Sequence, residues 1–148
     1  MNIERATKQD YNELMDLMAH SFRTHTPAHP RFEELLPDLY QPTDELMQRH
    51  LIVRVGERIA ASVGVYPFEV RCANVILKVA GVGGVCTGPE HRGKGLMTAL
   101  LQAAREEIAS QGYPVSWLTG DRKRYAPFGW EKVGSSRGAV KTGAAAPR

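Results

Sequence analysis

The fold of this chain is decided by the stretch Val85-Cys86-Thr87-Gly88-Pro89-Glu90-His91-Arg92-Gly93-Lys94-Gly95-Leu96-Met97. The stretch joins an apolar, strand-like run to an apolar, helix-like run through a turn that carries glycines and cations. Glycine lets the backbone approach a ligand closely, and a helix start offers unpaired N–H donors and the positive end of the helix dipole. The sequence therefore predicts a strand, a turn that binds phosphate or pyrophosphate, and a helix.

The same turn also matches most of a nucleotide-binding loop. Residues 88–94 fit the first seven positions of the pattern Gly-x-x-x-x-Gly-Lys-[Ser/Thr], in which the final hydroxyl holds Mg²⁺. Gly95 stands at that eighth position and has no hydroxyl. A P-loop nucleotide binder is therefore an alternative that this residue weakens.

Two motifs resemble those of one enzyme family. Arg92-Gly93-Lys94-Gly95-Leu96-Met97 resembles the Arg/Gln-x-x-Gly-x-Gly/Ala signature of the GCN5-related N-acetyltransferases (GNAT), which use acetyl-CoA. Tyr125-Ala126-Pro127-Phe128-Gly129-Trp130-Glu131 is similar to the family's Tyr-x-x-x-Gly-[Phe/Tyr/Trp] segment. Two motifs in this order, about thirty residues apart, are more specific than either alone. Met97 replaces the last small residue of the signature, and in this it resembles the Eis-like branch.

The resemblance implies a fold, a reaction and a donor. The fold is α/β (α+β), with a mixed, mainly antiparallel central sheet, a strand–helix–strand acetyl-CoA unit and flanking helices. The reaction moves an acetyl group from acetyl-CoA to a primary amine of a small molecule or peptide, directly within a ternary complex. No metal is expected. The alternative from another class is an acyl-CoA-binding module without catalysis.

The resemblance also implies site residues. Tyr125 matches the family's general acid, whose phenol would protonate the leaving thiolate. The candidates for the general base are Asp121, Glu69, Glu90 and a chain of waters. For Asp121, capping of the following helix is the favoured role. The predicted donor-binding residues are Val85, Cys86, Thr87, Arg92, Gly93, Lys94, Gly95, Leu96 and Met97. Acylation of Cys86 is a further alternative, but packing on a buried strand is favoured.

Composition narrows the class of protein. The 148 residues suffice for one domain, expected over residues 1–134, followed by a tail at 135–148 that is frayed or forms a weak last strand. A net charge of +3 argues against a nucleic-acid binder. No apolar run approaches the roughly eighteen residues of a membrane span. Cys72 and Cys86 are expected to be buried free thiols, which suits the cytoplasm.

The remaining pattern predicts the order of the elements. An amphipathic helix follows a capping box at Thr7 to Asp10. The next segment contains His25 and His29, which are interpreted as loop histidines rather than metal ligands. The glycines of the run 79–85 predict a bulge or a close approach to the strand along which the donor lies. Residues 138–141 are a poor candidate for the last strand of the family's final hairpin. Assembly into a homo-oligomer is therefore one way in which the sheet could be completed. The predicted strands are 3–6, 51–55, 59–66, 68–72, 75–85, 115–119 and 130–133, and the predicted short or main helices are 32–36, 44–50, 96–110 and 121–128.

Overall fold

A five-stranded sheet with helices on both faces forms the framework of the computed structural model, which describes residues 1–133. The strands lie in the order β1-β2-β3-β4-β5; the first four are antiparallel, and β5 runs parallel to β4. This confirms the predicted mixed, mainly antiparallel sheet. The strands are β1 Ile3–Arg5, β2 His50–Val55, β3 Arg58–Cys72, β4 Val75–Thr87 and β5 Val115–Leu118. The helices are α1 Tyr11–Arg23, α2 Phe32–Leu35, α3 Asp44–Met47, α4 Leu96–Ser110 and α5 Arg122–Tyr125, with 3-10 turns at Lys8–Asp10, Pro89–His91 and Ala126–Phe128.

Each face of the sheet is covered by one long helix. The apolar stripe of α4, which includes Leu100 and Leu101, packs on one face against strands β2 to β4. The stripe of α1, which includes Leu14 and Met18, packs on the other face with Tyr40 and Tyr66. Both helices therefore bury the side that their 3.6-residue periodicity predicts, and the sheet lies between two apolar layers.

The start of α1 is held by charged side chains. The Asp10 carboxylate accepts hydrogen bonds from the Thr7 backbone N–H at 2.8 Å and from its hydroxyl at 3.0 Å, which confirms the capping box. Arg54 on β2 donates to Asp10 at 2.6 Å and to Glu4 at 2.6 Å. One guanidinium therefore ties together β1, the cap of α1 and β2.

Strand β3 continues through Pro67, where the sequence predicted a break. The Val65 N–H donates to the Arg49 carbonyl, so the N–H side of alternate residues here points towards β2. Pro67 stands two residues further on, beyond the last β2 partner, His50. Its missing N–H therefore faces the open edge and costs no ladder hydrogen bond.

A bulge interrupts the β3–β4 ladder in the predicted glycine run. Gly64 pairs with Gly83 and Ser62 pairs with Cys86, so β4 carries one residue more than β3 in this interval. Gly84 takes the left-handed conformation at φ +59°. Glycine adopts this φ without steric cost, which is why the bulge falls there.

Three smaller expectations need correction. The helix predicted over 44–50 ends at Met47, because His50 already belongs to β2. Cys72 is exposed at the end of β3, and only Cys86 is buried. Residues 130–133 form no strand. Gly129 at φ +96° turns the chain back, and the Trp130 N–H donates to the Tyr125 carbonyl at 3.4 Å. The predicted tail at 135–148, with its weak last strand, lies outside the described residues.

A buried polar cluster lies beneath α1, and we call it the bulge cluster: His50, Ser62, Tyr66 and Tyr40. His50 is fully buried, with Nε2 3.1 Å from the Tyr66 hydroxyl and Nδ1 3.3 Å from the Ser62 hydroxyl. The Tyr66 and Tyr40 hydroxyl oxygens lie 2.9 Å apart. Burial, assisted by the Arg49 charge, lowers the pKa of His50 from 6.5 to about 4, so the imidazole is neutral at pH 7.

Folding should become less favourable as the pH falls from 7 towards 4. The folded pKa of His50 lies below the unfolded value, so the stabilisation is present above about pH 6.5 and is lost as the pH falls towards the folded pKa of about 4. The difference corresponds to a loss on the order of 3 kcal/mol. Urea unfolding of the wild type and of His50→Gln at pH 7.5, 6, 5 and 4.5 measures it, and parallel pH profiles for the two proteins would contradict the assignment.

Candidate functional site

A cleft of about 820 Å³ opens at the carboxyl end of β4. It is lined by the end of α1, the last residues of β4, the glycine turn, the start of α4 and Arg124. Of the predicted donor-binding residues, all except Lys94 line this cleft. Val85, Cys86 and Thr87 form its wall, whereas Arg92, Gly93, Gly95, Leu96 and Met97 form one end. The structure therefore brings the predicted residues together, and donor binding by them stays a prediction.

The glycine turn exposes backbone donors. Gly93 and Gly95 both take the left-handed conformation, at φ +74° and +76°. Gly95 is the N-cap of α4, no side chain caps the helix, and the first intrahelical bond runs from the Ala99 N–H to the Gly95 carbonyl. The N–H groups of residues 96–98 therefore point out of the helix end towards the cleft. Such a turn and helix start form a concave site for an anion.

The charge of the cleft is positive. Arg92 and Arg124 line it together with His25 and His91, and none of the described lining residues is an aspartate or glutamate. The Lys94 ammonium lies 3.5 Å from Nδ1 of His91, beside the same turn. Cations at the start of a helix oppose its dipole. An anion in the cleft would remove this unfavourable interaction.

Arg92 also connects the two walls of the cleft. Its guanidinium donates to the Thr87 carbonyl at 3.4 Å and to the Ser21 carbonyl at 3.3 Å. Thr87 ends β4, and Ser21 lies in the last turns of α1. The Arg92 guanidinium is therefore held between the end of β4 and the end of α1, beside the cleft.

The free edge of β4 supplies a second set of backbone donors. Pairing with β5 stops at Val82 and Leu118, although β4 continues to Thr87. The Gly88 N–H donates to the Ala60 carbonyl on β3. Because strand residues alternate, the backbone groups of Val85 and Thr87 point to the opposite side, where no described strand pairs with them.

Tyr125 lies in the core beside the cleft rather than among its lining residues. Its side chain is buried in the α4 cluster and packs against Gly120. Burial raises the pKa of the Tyr125 phenol, partly offset by Arg124, so the phenol is protonated at neutral pH. The adjacent Arg124 does line the cleft. The general-acid role of Tyr125 therefore stays a prediction.

The candidate bases lie elsewhere. The Asp121 carboxylate accepts the Lys123 N–H at 2.9 Å, which confirms its capping role. Glu90 lies 3.5 Å from Nε2 of His91, and Glu69 pairs with Lys78 along the outer part of the β3–β4 hairpin. None of the three carboxylates lines the cleft.

The Cys86 side chain lies in the wall of the cleft and packs in the α1 core. Burial raises the pKa of the Cys86 thiol to about 12, despite hydrogen bonds from Ser62 and Ser21 that lower it. A thiol with this pKa is protonated at neutral pH, and only the thiolate is a strong nucleophile. The environment therefore favours packing for this side chain.

Sequence reasoning missed the contribution of α1. The end of this helix places Ser21 and Phe22 in the cleft, and the following loop adds His25 and Thr26. Ser21 is buried on the apolar face of α1, and a serine on such a face is the signal that could have revealed it. The His29 ring packs against Phe22 at 5.4 Å, and residues 1–133 contain no group of three potential metal-ligating side chains.

Comparisons with known proteins agree with this architecture. A family model described as an acetyltransferase (GNAT) domain matches residues 2–133. A GNAT family acetyltransferase from Brucella melitensis, solved in complex with acetyl-CoA, is 19% identical, with a TM-score of 0.72 over 88% of this chain and 82% of that one. No curated protein sequence is significantly similar. Within the described residues, no helix is long and apolar enough to cross a membrane.

Larger proteins share the fold as well. A GCN5-related N-acetyltransferase from Kribbella flavida is 21% identical, with a TM-score of 0.68 over 85% of this chain and 31% of that one. Eis1 from Mycobacterium abscessus is 16% identical, with a TM-score of 0.61 over 78% of this chain and 28% of that one. The chain thus spans less than a third of either protein. Identities this low show the fold alone, so the Eis-like branch stays a prediction.

Replacing Gly95 by alanine should destabilise the protein through backbone strain. A Cβ there would meet nothing within 4 Å, but φ +76° is costly for alanine, by about 1 kcal/mol. Gly88→Ala is the matched control, because Gly88 has φ −51° and its Cβ would meet only the flexible end of Glu90. Urea unfolding measures both, and equal stabilities would contradict the left-handed turn.

Proposed function

The chain belongs to the acetyltransferase (GNAT) domain family, and on this premise we propose that it transfers an acetyl group from acetyl-CoA to a primary amine. The observation that carries the proposal is the cleft in which the glycine turn, the start of α4 and the free edge of β4 meet. We further propose that residues 1–134 form the catalytic domain and that it acts in the cytoplasm. Assembly of two or more copies remains part of the proposal without a defined interface.

The pyrophosphate of acetyl-CoA is proposed to lie at the start of α4. The backbone N–H groups of residues 93–97 and the charge of Arg92 would bind its oxygens. Met97 donates through its backbone, so its larger side chain leaves this hydrogen bond available. The pantetheine arm would follow the edge of β4 and use the backbone groups of Val85 and the backbone N–H of Thr87.

Direct transfer accounts for the chemistry with these groups. The neutral amine nitrogen attacks the thioester carbon, and the carbonyl oxygen becomes an oxyanion that a β4 N–H, such as that of Val85, would stabilise. The C–S bond then breaks, and the CoA thiolate takes a proton from the Tyr125 phenol. The amine proton leaves to water, and water returns a proton to the Tyr125 phenolate, so that the enzyme is unchanged after the reaction. The protonated state of Cys86 supports this route over a covalent acetyl-cysteine.

The acceptor is proposed to enter beside the end of α1. The rings of Phe22, His29 and Phe32 pack together there, with centroids 4.8 to 5.4 Å apart. Phe22 and His25 line the cleft on this side. Because this wall carries aromatic rings and none of the described lining residues is a carboxylate, we expect the acceptor to be a small molecule or peptide whose amine approaches uncharged.

Titration with acetyl-CoA and a thiol-release assay test the proposal. Calorimetry should show binding of acetyl-CoA, and release of free CoA should depend on an amine from a panel of polyamines, aminoglycosides, amino acids and peptides. Binding without release for every amine would favour the acyl-CoA-binding module. Binding of ATP with Mg²⁺ in place of acetyl-CoA would support the P-loop alternative, which Gly95 disfavours because it lacks the hydroxyl and has a φ that suits glycine.

Replacing Tyr125 by phenylalanine should lower turnover and leave acetyl-CoA affinity unchanged. The change removes only the phenol that is proposed to protonate the thiolate, and loss of a general acid costs about a hundredfold or more. Tyr113→Phe is the control, because Tyr113 packs against the same apolar cluster but follows the carboxyl end of α4, whereas the cleft lies at the start of that helix. Steady-state rates at saturating amine measure the turnover, and calorimetry measures the acetyl-CoA affinity. Unchanged turnover would remove Tyr125 from the mechanism.

A further inference from the structure

The glycine run of β4 is in contact with aromatic rings from β3. A Cβ on Gly81 would lie 2.9 Å from the Phe68 ring, and a Cβ on Gly83 would lie 3.3 Å from the Tyr66 ring. A Cβ on Gly64 would clash with the Tyr66 ring, reaching Cζ at 2.7 Å. The Tyr66 ring therefore lies flat in a groove made by glycines of both strands, and this groove fixes the direction of its hydroxyl group.

The Tyr66 hydroxyl reaches the bulge cluster and the bulge together. It lies 3.1 Å from Nε2 of His50 and 2.9 Å from the Tyr40 hydroxyl. A Cβ on Gly84 would lie 3.0 Å from Cε of Met18 on α1, and 3.5 Å from both this hydroxyl and Cε1 of His50. The cluster therefore lies next to the bulge residue, together with Met18, on the face covered by α1.

Gly84 is followed directly by the residue whose N–H faces the cleft. Val85 lines the cleft and directs its backbone away from β3. A rotation of the Gly84–Val85 peptide would turn that N–H out of the cleft. Met18 on α1 and the cluster together border the space behind Gly84 and limit such a rotation. The side chains of the cluster come from β2, β3 and the segment before α3.

We propose that Tyr66, held by His50, is a positioning residue for acetyl transfer: its hydroxyl supports Gly84 from behind and so aims the Val85 N–H at the acetyl oxygen. The inference rests on the proposed function for its catalytic consequence. Tyr66 touches no reacting atom and acts through the bulge at Gly84. The cluster is well suited to this role because each of its buried side-chain polar atoms has a hydrogen-bond partner, and a satisfied network is rigid.

Tyr66→Phe tests the proposal, because it keeps the ring in its groove and removes only the hydroxyl. Turnover should fall about tenfold to a hundredfold, as small misplacements of a catalytic donor do, while the acetyl-CoA dissociation constant stays within about threefold. The ¹⁵N–¹H resonances of Gly84 and Val85 should move in the ligand-free protein. Ser62→Ala, which removes the partner of Nδ1 of His50, should shift the same resonances and provides a second variant.

Tyr11→Phe is the matched control. The Tyr11 hydroxyl donates to the Tyr40 carbonyl at 3.3 Å, so the change removes a comparable hydrogen bond on the same segment without touching Gly84. Its turnover and the Gly84 and Val85 resonances should match the wild type.

Two results would overturn the inference. Turnover of Tyr66→Phe within about twofold of the wild type would show that the hydroxyl does not position a catalytic donor. Unmoved Gly84 and Val85 resonances would show that any loss arises by another route. If the wild type itself released no CoA with any amine, the proposed function would fail, and the resonances alone would then decide whether the cluster positions the bulge.

Discussion

The bulge at Gly84 is the constraint on which the rest of the site depends. Without the extra residue, β4 would keep its register with β3, and the alternation of its backbone groups would reverse beyond Gly83. The N–H groups of Val85 and Thr87 would then face β3, and the cleft would lose its wall of donors. One left-handed glycine therefore decides which backbone groups meet a ligand. The end of β5 at Leu118 leaves that edge of β4 open.

Electrostatics and backbone geometry in the cleft favour the same kind of ligand. Two left-handed glycines open the start of α4, and within residues 1–133 no side chain occupies its donors. Arg92 is held beside them by the carbonyls of Thr87 and Ser21. Each feature alone is common in proteins; together they place the helix dipole, backbone donors and a positive charge at one end of the cleft. A long ligand with an anionic middle and an amide-bearing arm fits this arrangement.

Local signals made much of the architecture predictable. Gly95 and Gly112 bracket α4, so its bounds followed from the sequence, and the glycines at 81–84 indicated the bulge. Contacts between residues that are distant in the sequence could not be predicted from such local signals. The bulge cluster brings together residues 40, 50, 62 and 66, none of which carries a recognisable motif. The strand predicted over 130–133 did not form, again because of a contact between residues distant in the sequence. The left-handed Gly129 turns the chain back, and the Trp130 indole donates to the Ser116 hydroxyl at 3.1 Å instead of the segment joining a backbone ladder.

The glycine run of β4 meets two structural requirements, the packing of aromatic rings on one face of the strand and the formation of the bulge beside the cleft. Glycine inside a strand costs about 0.5–1 kcal/mol relative to alanine, so three of them would weaken an ordinary ladder. Here the rings of Phe68 and Tyr66 cover Gly81 and Gly83 and restore apolar contact that the missing side chains would have made. That packing directs the Tyr66 hydroxyl towards the side of the bulge on which Met18 also lies. The glycines therefore serve the α1 face, by admitting the rings, and the cleft face, by allowing the bulge; a larger residue at Gly83 or Gly84 would disturb both faces at once.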